Sequence, residues 1–167
     1  MERLPTGMES PAAVRASSAA PRSRPPKTAI RPSGHRPAAG ATATIVTVVM
    51  PTTDFEPTFA RCAARVIESL RPDLGDHFVV VFDGAEPTAP RWLEDAGAVV
   101  LSTGRRSGPA VARNLGAESA RGDVVVFVDA DVELAADALE RFRRAFDDDP
   151  DLCGIFGAYD KIGRAHV

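Results

Sequence analysis

An unbroken apolar run, Val124 to Val128, ends at two carboxylates, Asp129 and Asp131, that lie one residue apart. β-branched and aromatic residues in a run this short indicate a strand buried on both faces, as in a parallel sheet covered by helices. Open α/β sheets bind their ligands outside the carboxyl ends of such strands. Because neighbouring acids repel each other there, a divalent cation with oxygen ligands, bridging to a phosphate, would stabilise both. The stretch therefore predicts an α/β fold with a cation site at one sheet edge.

Strands and helices are predicted to alternate along the chain. Apolar, β-rich runs predict buried strands at 45–50, 78–82, 98–101, 124–128 and 152–156. The helical spacing of apolar residues predicts helices at 59–70, 91–96, 110–120 and 134–146. This order implies right-handed βαβ units and a mostly parallel sheet with helices on both faces.

Carboxylates near two helix ends suggest local roles. Asp54 is a candidate N-cap for the first helix, with Pro57 tolerated in its first turn. Asp147 to Asp149 end the last helix, where acids oppose the helix dipole. We therefore expect these three aspartates to lie in solvent with no catalytic role.

The segment 1–43 differs in composition from the rest of the chain. It holds seven of the fourteen prolines and few large apolar residues, so we predict a disordered tail followed by a folded domain over 44–160. Its seven Lys or Arg residues against Glu2 and Glu9 give a charge of about +5. A basic tail can touch nucleic acid or an anionic membrane, but we favour a solvated tail and no nucleic-acid partner. A translation start placed too far upstream is a further possibility.

Cysteine content and hydropathy bear on the compartment. Cys62 and Cys153 lie far apart in apolar segments without metal-ligand spacing, which is typical of buried free thiols in a reducing cytoplasm. The tail has no apolar centre, so we do not interpret it as a secretory signal, and no apolar run approaches the length of a membrane span. We expect a cytoplasmic protein, with association at the inner membrane face left to the basic tail or to a longer form of the chain.

The last seven residues, 161–167, continue no periodicity. The same heptapeptide is encoded by one frame of a widely used DNA-sequencing adapter. We therefore expect 161–167 to be non-native and the natural protein to continue beyond residue 160, so the predicted fold is incomplete at its C-terminus.

A polar loop, 102–109, opens directly onto the helix predicted at 110–120. It contains Arg105, Arg106 and Gly108, and a glycine-bearing loop at a helix N-terminus is suited to bind phosphate. The loop matches no standard phosphate-binding pattern, so an ordinary helix start with solvated arginines explains it equally well.

Polar residues follow three of the predicted strands: Thr52 to Asp54 follow the first, Asp83 the second, and Asp129 with Asp131 the strand at 124–128. In a parallel sheet these strand ends share one edge, so the residues can converge on one cleft. A single strand-end aspartate is usually a turn residue or a cap. Several together favour a functional site.

The chain resembles the family 2 glycosyltransferases, inverting enzymes with the GT-A fold, which is Rossmann-like. The resemblance covers about 44–160 and is carried by four segments in the family's order: Val48-Val49-Met50-Pro51-Thr52, Val79-Val80-Val81-Phe82-Asp83-Gly84, Gly108-Pro109-Ala110-Val111-Ala112-Arg113-Asn114-Leu115-Gly116 and Phe127-Val128-Asp129-Ala130-Asp131. It implies transfer of a sugar from a nucleoside-diphosphate sugar to a hydroxyl of a saccharide, lipid or other acceptor.

The resemblance also implies roles for individual residues. Donor-binding positions would be Pro51, Thr52, Asp83, Gly108, Arg113, Asn114 and Asp129, with Asp83 accepting a hydrogen bond from the base or ribose. Asp131, assisted by Asp129, would hold Mg²⁺ or Mn²⁺ against the diphosphate and so stabilise the leaving group. Inversion also needs a base that deprotonates the acceptor hydroxyl.

Two departures from the family pattern qualify these roles. The family usually shows two adjacent acids and a serine after the second strand, where this chain has Phe82-Asp83-Gly84-Ala85. The catalytic base and the acceptor-binding segments are expected beyond the end of this chain. We therefore predict a donor-binding fragment that is inactive alone.

Three alternatives share parts of the pattern. A nucleotidyltransferase uses a similar acid–metal site, but the long glycine-rich loop expected near its first strand is missing here. A phosphohydrolase of the haloacid dehalogenase type also carries Asp-x-Asp, but usually on its first strand, whereas Asp129 follows a late one. The third alternative is a non-catalytic nucleotide-binding module.

Overall fold

The computed structural model describes residues 28–30, 43–159 and 164–166. The strands are β1 (Thr28–Ile30), β2 (Val46–Thr52), β3 (His77–Phe82), β4 (Val99–Ser102), β5 (Val124–Phe127), β6 (Glu133–Leu134), β7 (Gly154–Phe156), β8 (Ala158–Tyr159) and β9 (Arg164–His166). The helices are α1 (Pro57–Ser69), a 3₁₀ turn at Pro72–Leu74, α2 (Arg91–Asp95), α3 (Pro109–Glu118) and α4 (Ala138–Asp148).

Within the described residues, the main sheet has the strand order β4-β3-β2-β5-β1-β7. β4, β3, β2 and β5 are parallel to one another, and β1 is antiparallel to both of its neighbours. A smaller sheet joins β6, β9 and β8. The predicted mostly parallel α/β sheet is confirmed.

Helices cover both faces of this sheet. One face packs against α1 and α4 through a large apolar cluster that includes Val48, Val80, Phe59, Leu139 and Phe142. The other face packs against α3 through a smaller cluster of Val49, Val79, Val81, Ala112 and Val125. Alternate residues of β2 therefore enter different clusters, as expected of a strand buried on both faces.

The sequence predicted that the first strand ends at residue 50, before Pro51. In the structure, β2 continues through Pro51 to Thr52. β2 pairs with β5 only as far as Val49 and with β3 as far as Thr52. The Thr52 carbonyl accepts from Asp83 on the β3 side, so by alternation Pro51 faces the side where β5 pairing has ended. The amide hydrogen that proline lacks is therefore not needed there.

The predicted helix at 134–146 begins later than expected. Leu134 lies in β6, paired with β9, and α4 starts only at Ala138. Pairing with a distant segment overrides the local helical spacing here.

The prediction that Asp54 caps the first helix is wrong. Glu56 is the N-cap residue of α1, and Asp54 instead accepts from the Glu56 N–H at 3.1 Å in the preceding turn.

Two segments that the sequence analysis excluded from the folded domain, 1–43 and 161–167, each contribute a strand. Thr28–Ile30 pairs with β5 and β7, so the predicted disorder of 1–43 is wrong for these three residues; most of the rest of that segment lies outside the described residues. Arg164–His166 pairs with β6 and β8. Backbone pairing accepts most side chains, so the non-native origin of 161–167 stays a prediction.

The amino-terminal ends of the strands are held by polar contacts that are buried or partly buried. Asp76 accepts from the Val46 N–H at 2.9 Å and forms a two-bond pair with Arg143 of α4, which also donates to the Thr44 carbonyl. Asp147 accepts from the Thr44 N–H at 3.1 Å. The expectation that Asp147 lies free in solvent is therefore wrong, since it fastens α4 to the start of β2.

The two thiols differ in exposure. Cys62 is buried on the core face of α1, as predicted, whereas Cys153 is exposed and lies in the segment before β7, contrary to prediction. Among the residues that the structure describes, none of the helices combines the length and apolar character that crossing a bilayer requires.

Gly116 allows α3 to lie close to the sheet. A Cβ at this position would come within 2.3 Å of Val49 Cγ1 and 3.1 Å of Val81 Cγ2. We expect Gly116→Ala to lower the free energy of unfolding by about 1–3 kcal/mol through overpacking, although alanine improves helix propensity by ~1 kcal/mol. Urea unfolding measures the change. Val111→Ala on the exposed face of the same helix is the control, and an equal effect there would contradict the packing explanation.

Candidate active site

A cavity of about 550 Å³ opens at the carboxyl ends of the parallel strands. It is bounded by the end of β2, the start of α1, the end of β3, the first turns of α3 and the turn after β5. Its lining residues are Pro51, Thr52, Thr53, Asp54, Glu56, Thr58, Phe59, Asp83, Pro109, Arg113, Asp129, Ala130 and Asp131. This is the sheet edge at which the sequence predicted a cleft.

Most of the predicted site residues converge there. The six that line the cavity are Pro51, Thr52, Asp83, Arg113, Asp129 and Asp131. Gly108 is connected to it through its N–H, which donates to Asp83 Oδ2 at 2.9 Å. Asn114 is exposed on α3 and does not belong to the lining, so the structure does not bring it to the cavity.

The cavity is strongly acidic. Of its lining residues, all within the described part of the chain, five are carboxylates and only one, Arg113, is basic. Such a surface repels a diphosphate unless further positive charge is supplied. An anionic ligand would therefore need a cation in addition to the single arginine.

Asp83 is held by three donors and is only 7% exposed. Its Oδ1 accepts from the Ser107 N–H at 2.8 Å and from Thr103 Oγ1 at 2.9 Å, and its Oδ2 accepts from Gly108. The Ser107 N–H is the main reason that the pKa of Asp83 lies below its ordinary value; Thr103, Gly108 and Arg106 lower it further, and burial opposes them. Oδ2 accepts a single hydrogen bond, so it keeps a lone pair for a ligand.

These contacts decide between the two interpretations of the loop 102–109. The N–H groups of Ser107 and Gly108, the two residues that precede α3, donate to the Asp83 carboxylate, so they are not available to a phosphate. Arg105 and Arg106 are exposed and do not line the cavity. The anion at this helix N-terminus is therefore Asp83, and the structure favours an ordinary helix start.

The substitution Asp83→Asn tests the hydrogen bonds of the Asp83 carboxylate through the pH dependence of stability. The folded-state pKa lies below the ordinary value of 3.8, so the stabilisation is complete at neutral pH and is lost as the pH falls through the folded-state pKa. An amide would also turn an N–H toward the Gly108 or Ser107 N–H. We expect the variant to be less stable than the parent at neutral pH, with a gap that narrows in acid.

Urea unfolding at pH 7 and at several acidic values measures that gap. Asp148→Asn, which removes an exposed carboxylate from α4, is the control for the change of net charge. A gap that is constant with pH would contradict a bound carboxylate at Asp83.

Arg113 forms an ion pair with Asp129 inside the cavity. Its Nη2 lies 2.5 Å from Asp129 Oδ1, and the two side chains are 29% and 19% exposed. Arg113 lies in the second turn of α3, and Asp129 follows β5, so the pair connects the two elements across the cavity floor. An arginine at this place can also meet phosphate oxygens.

The acid pair after β5 fits a divalent cation only in part. Asp131 is exposed in the turn that the Val132 N–H closes onto the Asp129 carbonyl at 3.0 Å. The described residues contain no group of three or more His, Cys, Asp or Glu that could hold a metal by themselves. Mg²⁺ usually uses one or two carboxylates together with substrate phosphates and water. The donor set therefore suits a cation that binds together with a diphosphate.

The sequence did not indicate the contribution of α1. Glu56, Thr58 and Phe59 line the cavity, although Phe59 was recognised only as a core residue. The available signal was that α1 begins directly after the same strand end. Thr103 was also missed as a partner of Asp83, because the contact joins residues twenty positions apart.

Several solved structures resemble the fold of this chain. S. aureus TarS 1–349 matches with a TM-score of 0.55 and 22% identity, over 62% of this chain and 32% of that one. Its complex with UDP-GlcNAc matches with a TM-score of 0.55 and 23% identity, over 62% and 31%. The mannosyltransferase PcManGT from Pyrobaculum calidifontis, in complex with GDP-Man and Mn²⁺, matches with a TM-score of 0.51 and 29% identity, over 59% and 31%. The chain thus spans about a third of the length of these structures.

The likeness to TarS establishes the fold, which is the GT-A, Rossmann-like fold. No curated protein matches the sequence. The family model for glycosyl transferase family 2 matches residues 47–165, which is most of the chain. The chain therefore belongs to glycosyl transferase family 2.

Proposed function

We propose that this chain is the donor-binding part of an inverting glycosyltransferase that moves a sugar from a nucleoside-diphosphate sugar to an acceptor hydroxyl. The observation that carries the proposal is the cavity that brings Asp83, Arg113, Asp129 and Asp131 together. Family membership favours glycosyl transfer over the nucleotidyltransferase and phosphohydrolase alternatives.

The residues divide the cavity into two parts. The turn of Pro51 to Asp54 and the remaining lone pair of Asp83 Oδ2 would contact the nucleoside. Thr52 Oγ1 is already used in its own turn, where it donates to the Asp54 carbonyl at 2.5 Å, so it acts mainly by shaping this wall. The diphosphate would lie between Arg113 and the acid pair after β5.

Asp131, with Asp129, would hold Mg²⁺ or Mn²⁺ at the diphosphate. When bound, such a cation neutralises the charge that develops on the departing nucleoside diphosphate. The chain itself positions these carboxylates at the end of the buried strand β5. There they repel an anionic ligand unless a cation is bound. PcManGT, with its bound Mn²⁺, supports this choice of cofactor.

We further propose that the base for the acceptor hydroxyl and the acceptor-binding residues belong to a part of the protein that this chain does not contain. The chain would then bind a donor without transferring its sugar. Other members of the fold bind UDP-GlcNAc and GDP-Man, so UDP and GDP are the probes of choice.

Titration calorimetry of the 167-residue chain with UDP and with GDP, with and without Mn²⁺, tests the proposal. We expect one nucleotide to bind, and to bind more tightly with Mn²⁺. Release of phosphate from a generic phosphomonoester would instead support the phosphohydrolase. No binding of either nucleotide under any of these conditions would overturn the proposed donor site.

A further inference from the structure

The ion pair between Arg113 and Asp129 places a positive charge on one of the two carboxylates proposed to hold a cation. Both side chains are half-buried, and Arg113 Nη2 donates directly to Asp129 Oδ1, so the contact is a hydrogen-bonded ion pair. Arg113 is also the only basic residue in the described cavity lining, among five acids. A divalent cation and this guanidinium therefore compete for the negative charge of the same carboxylate, that of Asp129.

The backbone of Arg113 is fixed by the packing of α3, whereas its side chain makes few contacts. Its neighbour Ala112 is buried against the sheet, Gly116 packs on Val49, and Asp83 binds the N–H groups at the start of α3. The guanidinium makes a single hydrogen bond within the described residues, from Nη2 to Asp129. Four of its five N–H donors are therefore available to another planar or tetrahedral anion.

A diphosphate in the cavity would change this balance. Its oxygen atoms offer the guanidinium a stronger, bidentate partner than one carboxylate oxygen does. Moving Arg113 toward them would expose Asp129 to a cation. Without a diphosphate, an incoming divalent cation has to displace a like charge from its own ligand.

We propose that Arg113 is a resident counter-ion of Asp129 that disfavours binding of a divalent cation alone, and that a nucleoside diphosphate draws it away so that cation and nucleotide bind together. Arg113 is then a positioning residue that couples the two ligands. This inference rests on the proposed function of the same cavity.

The test measures Mn²⁺ binding by calorimetry in the absence of nucleotide. Arg113→Gln keeps a polar but shorter side chain and removes the charge, and we expect it to bind Mn²⁺ about tenfold more tightly than the parent, which is about 1.4 kcal/mol. Arg113→Lys restores the charge and should return toward the parent. Arg91→Gln, a loss of charge at an exposed residue of α2 outside the cavity, should match the parent.

A second measurement follows UDP and GDP binding with Mn²⁺ present. Arg113→Gln should bind the nucleotide more weakly, so the factor by which Mn²⁺ tightens it should fall. A purely structural arginine would change neither quantity, and thermal unfolding verifies that each variant is folded.

The outcomes separate the inference from the proposed function. If Arg113→Gln binds Mn²⁺ alone no more tightly than the parent, the counter-ion role is wrong, even where nucleotide binding with Mn²⁺ persists and the donor site stands. If the parent binds neither nucleotide with Mn²⁺, the donor site fails. Tighter Mn²⁺ binding by Arg113→Gln would then support competition at Asp129 without coupling to a nucleotide, which overturns the second half of the inference.

Discussion

Replacing Asp76 by alanine should lower the free energy of unfolding by about 3–5 kcal/mol, because a buried guanidinium loses its buried, hydrogen-bonded counter-ion. The Asp76 side chain is fully buried, the Arg143 side chain is 4% exposed, and Arg143 Nη2 lies 2.8 Å from Asp76 Oδ2. The same carboxylate also accepts from the Val46 and Arg71 N–H groups, at 2.9 and 2.8 Å. Removing it therefore leaves two backbone N–H groups and two guanidinium N–H groups without this acceptor. Urea unfolding of the full chain, followed by circular dichroism, measures the loss.

The order of effects within the pair is a sharper test. Arg143→Met should cost less than Asp76→Ala, because Asp76 keeps its two backbone donors. Adding Arg143→Met to Asp76→Ala should recover part of the loss, since no buried charge remains unpaired. The control is Asp73→Ala, which breaks an exposed pair with Arg71 in the adjacent turn and should change stability far less. An Asp76→Ala chain as stable as the control would show that α4 does not depend on this pair.

The parallel sheet could be predicted from local sequence because its strands are short, unbroken apolar runs. Val124 to Phe127 and His77 to Phe82 form strands close to the expected bounds, and the polar residues that follow them meet at one edge. Contacts between distant segments could not be predicted in this way. Leu134 pairs with β9, and Asp147 accepts from Thr44, which lies 103 positions away.

The same division applies to the site. Which acids reach the cavity follows from where the strands end, so Asp83, Asp129 and Asp131 were predicted correctly as cavity residues. What each acid binds depends on how loops close over it. Asp83 is occupied by the start of α3 and Asp129 by Arg113, and neither partner follows from spacing along the chain. Asn114 was assigned from a motif, but its place on the helix turns it to solvent.

Replacing Asp131 by alanine should abolish the effect of Mn²⁺ on nucleotide binding. Asp131 lines the cavity one residue beyond Asp129, and it is the carboxylate to which the resemblance to family 2 assigns the cation. Couplings between two ligands typically amount to about 5–150-fold in affinity. We expect the parent to show a tightening of UDP or GDP in that range on addition of Mn²⁺. For Asp131→Ala, calorimetry should show about the same nucleotide affinity with Mn²⁺ as without it.

The size of this loss follows from the acidic lining. Five carboxylates face the cavity, and Arg113 is the only basic side chain among its described lining residues, so a diphosphate without a cation meets net repulsion. The variant should therefore bind the nucleotide no better with Mn²⁺ than without it. Because one negative charge is removed, its nucleotide affinity without Mn²⁺ should be slightly higher than that of the parent. Asp148→Ala, which removes an exposed carboxylate outside the cavity, is the matched control. If Asp131→Ala retains the full Mn²⁺ effect, the cation is held elsewhere and the assignment of this acid pair is wrong.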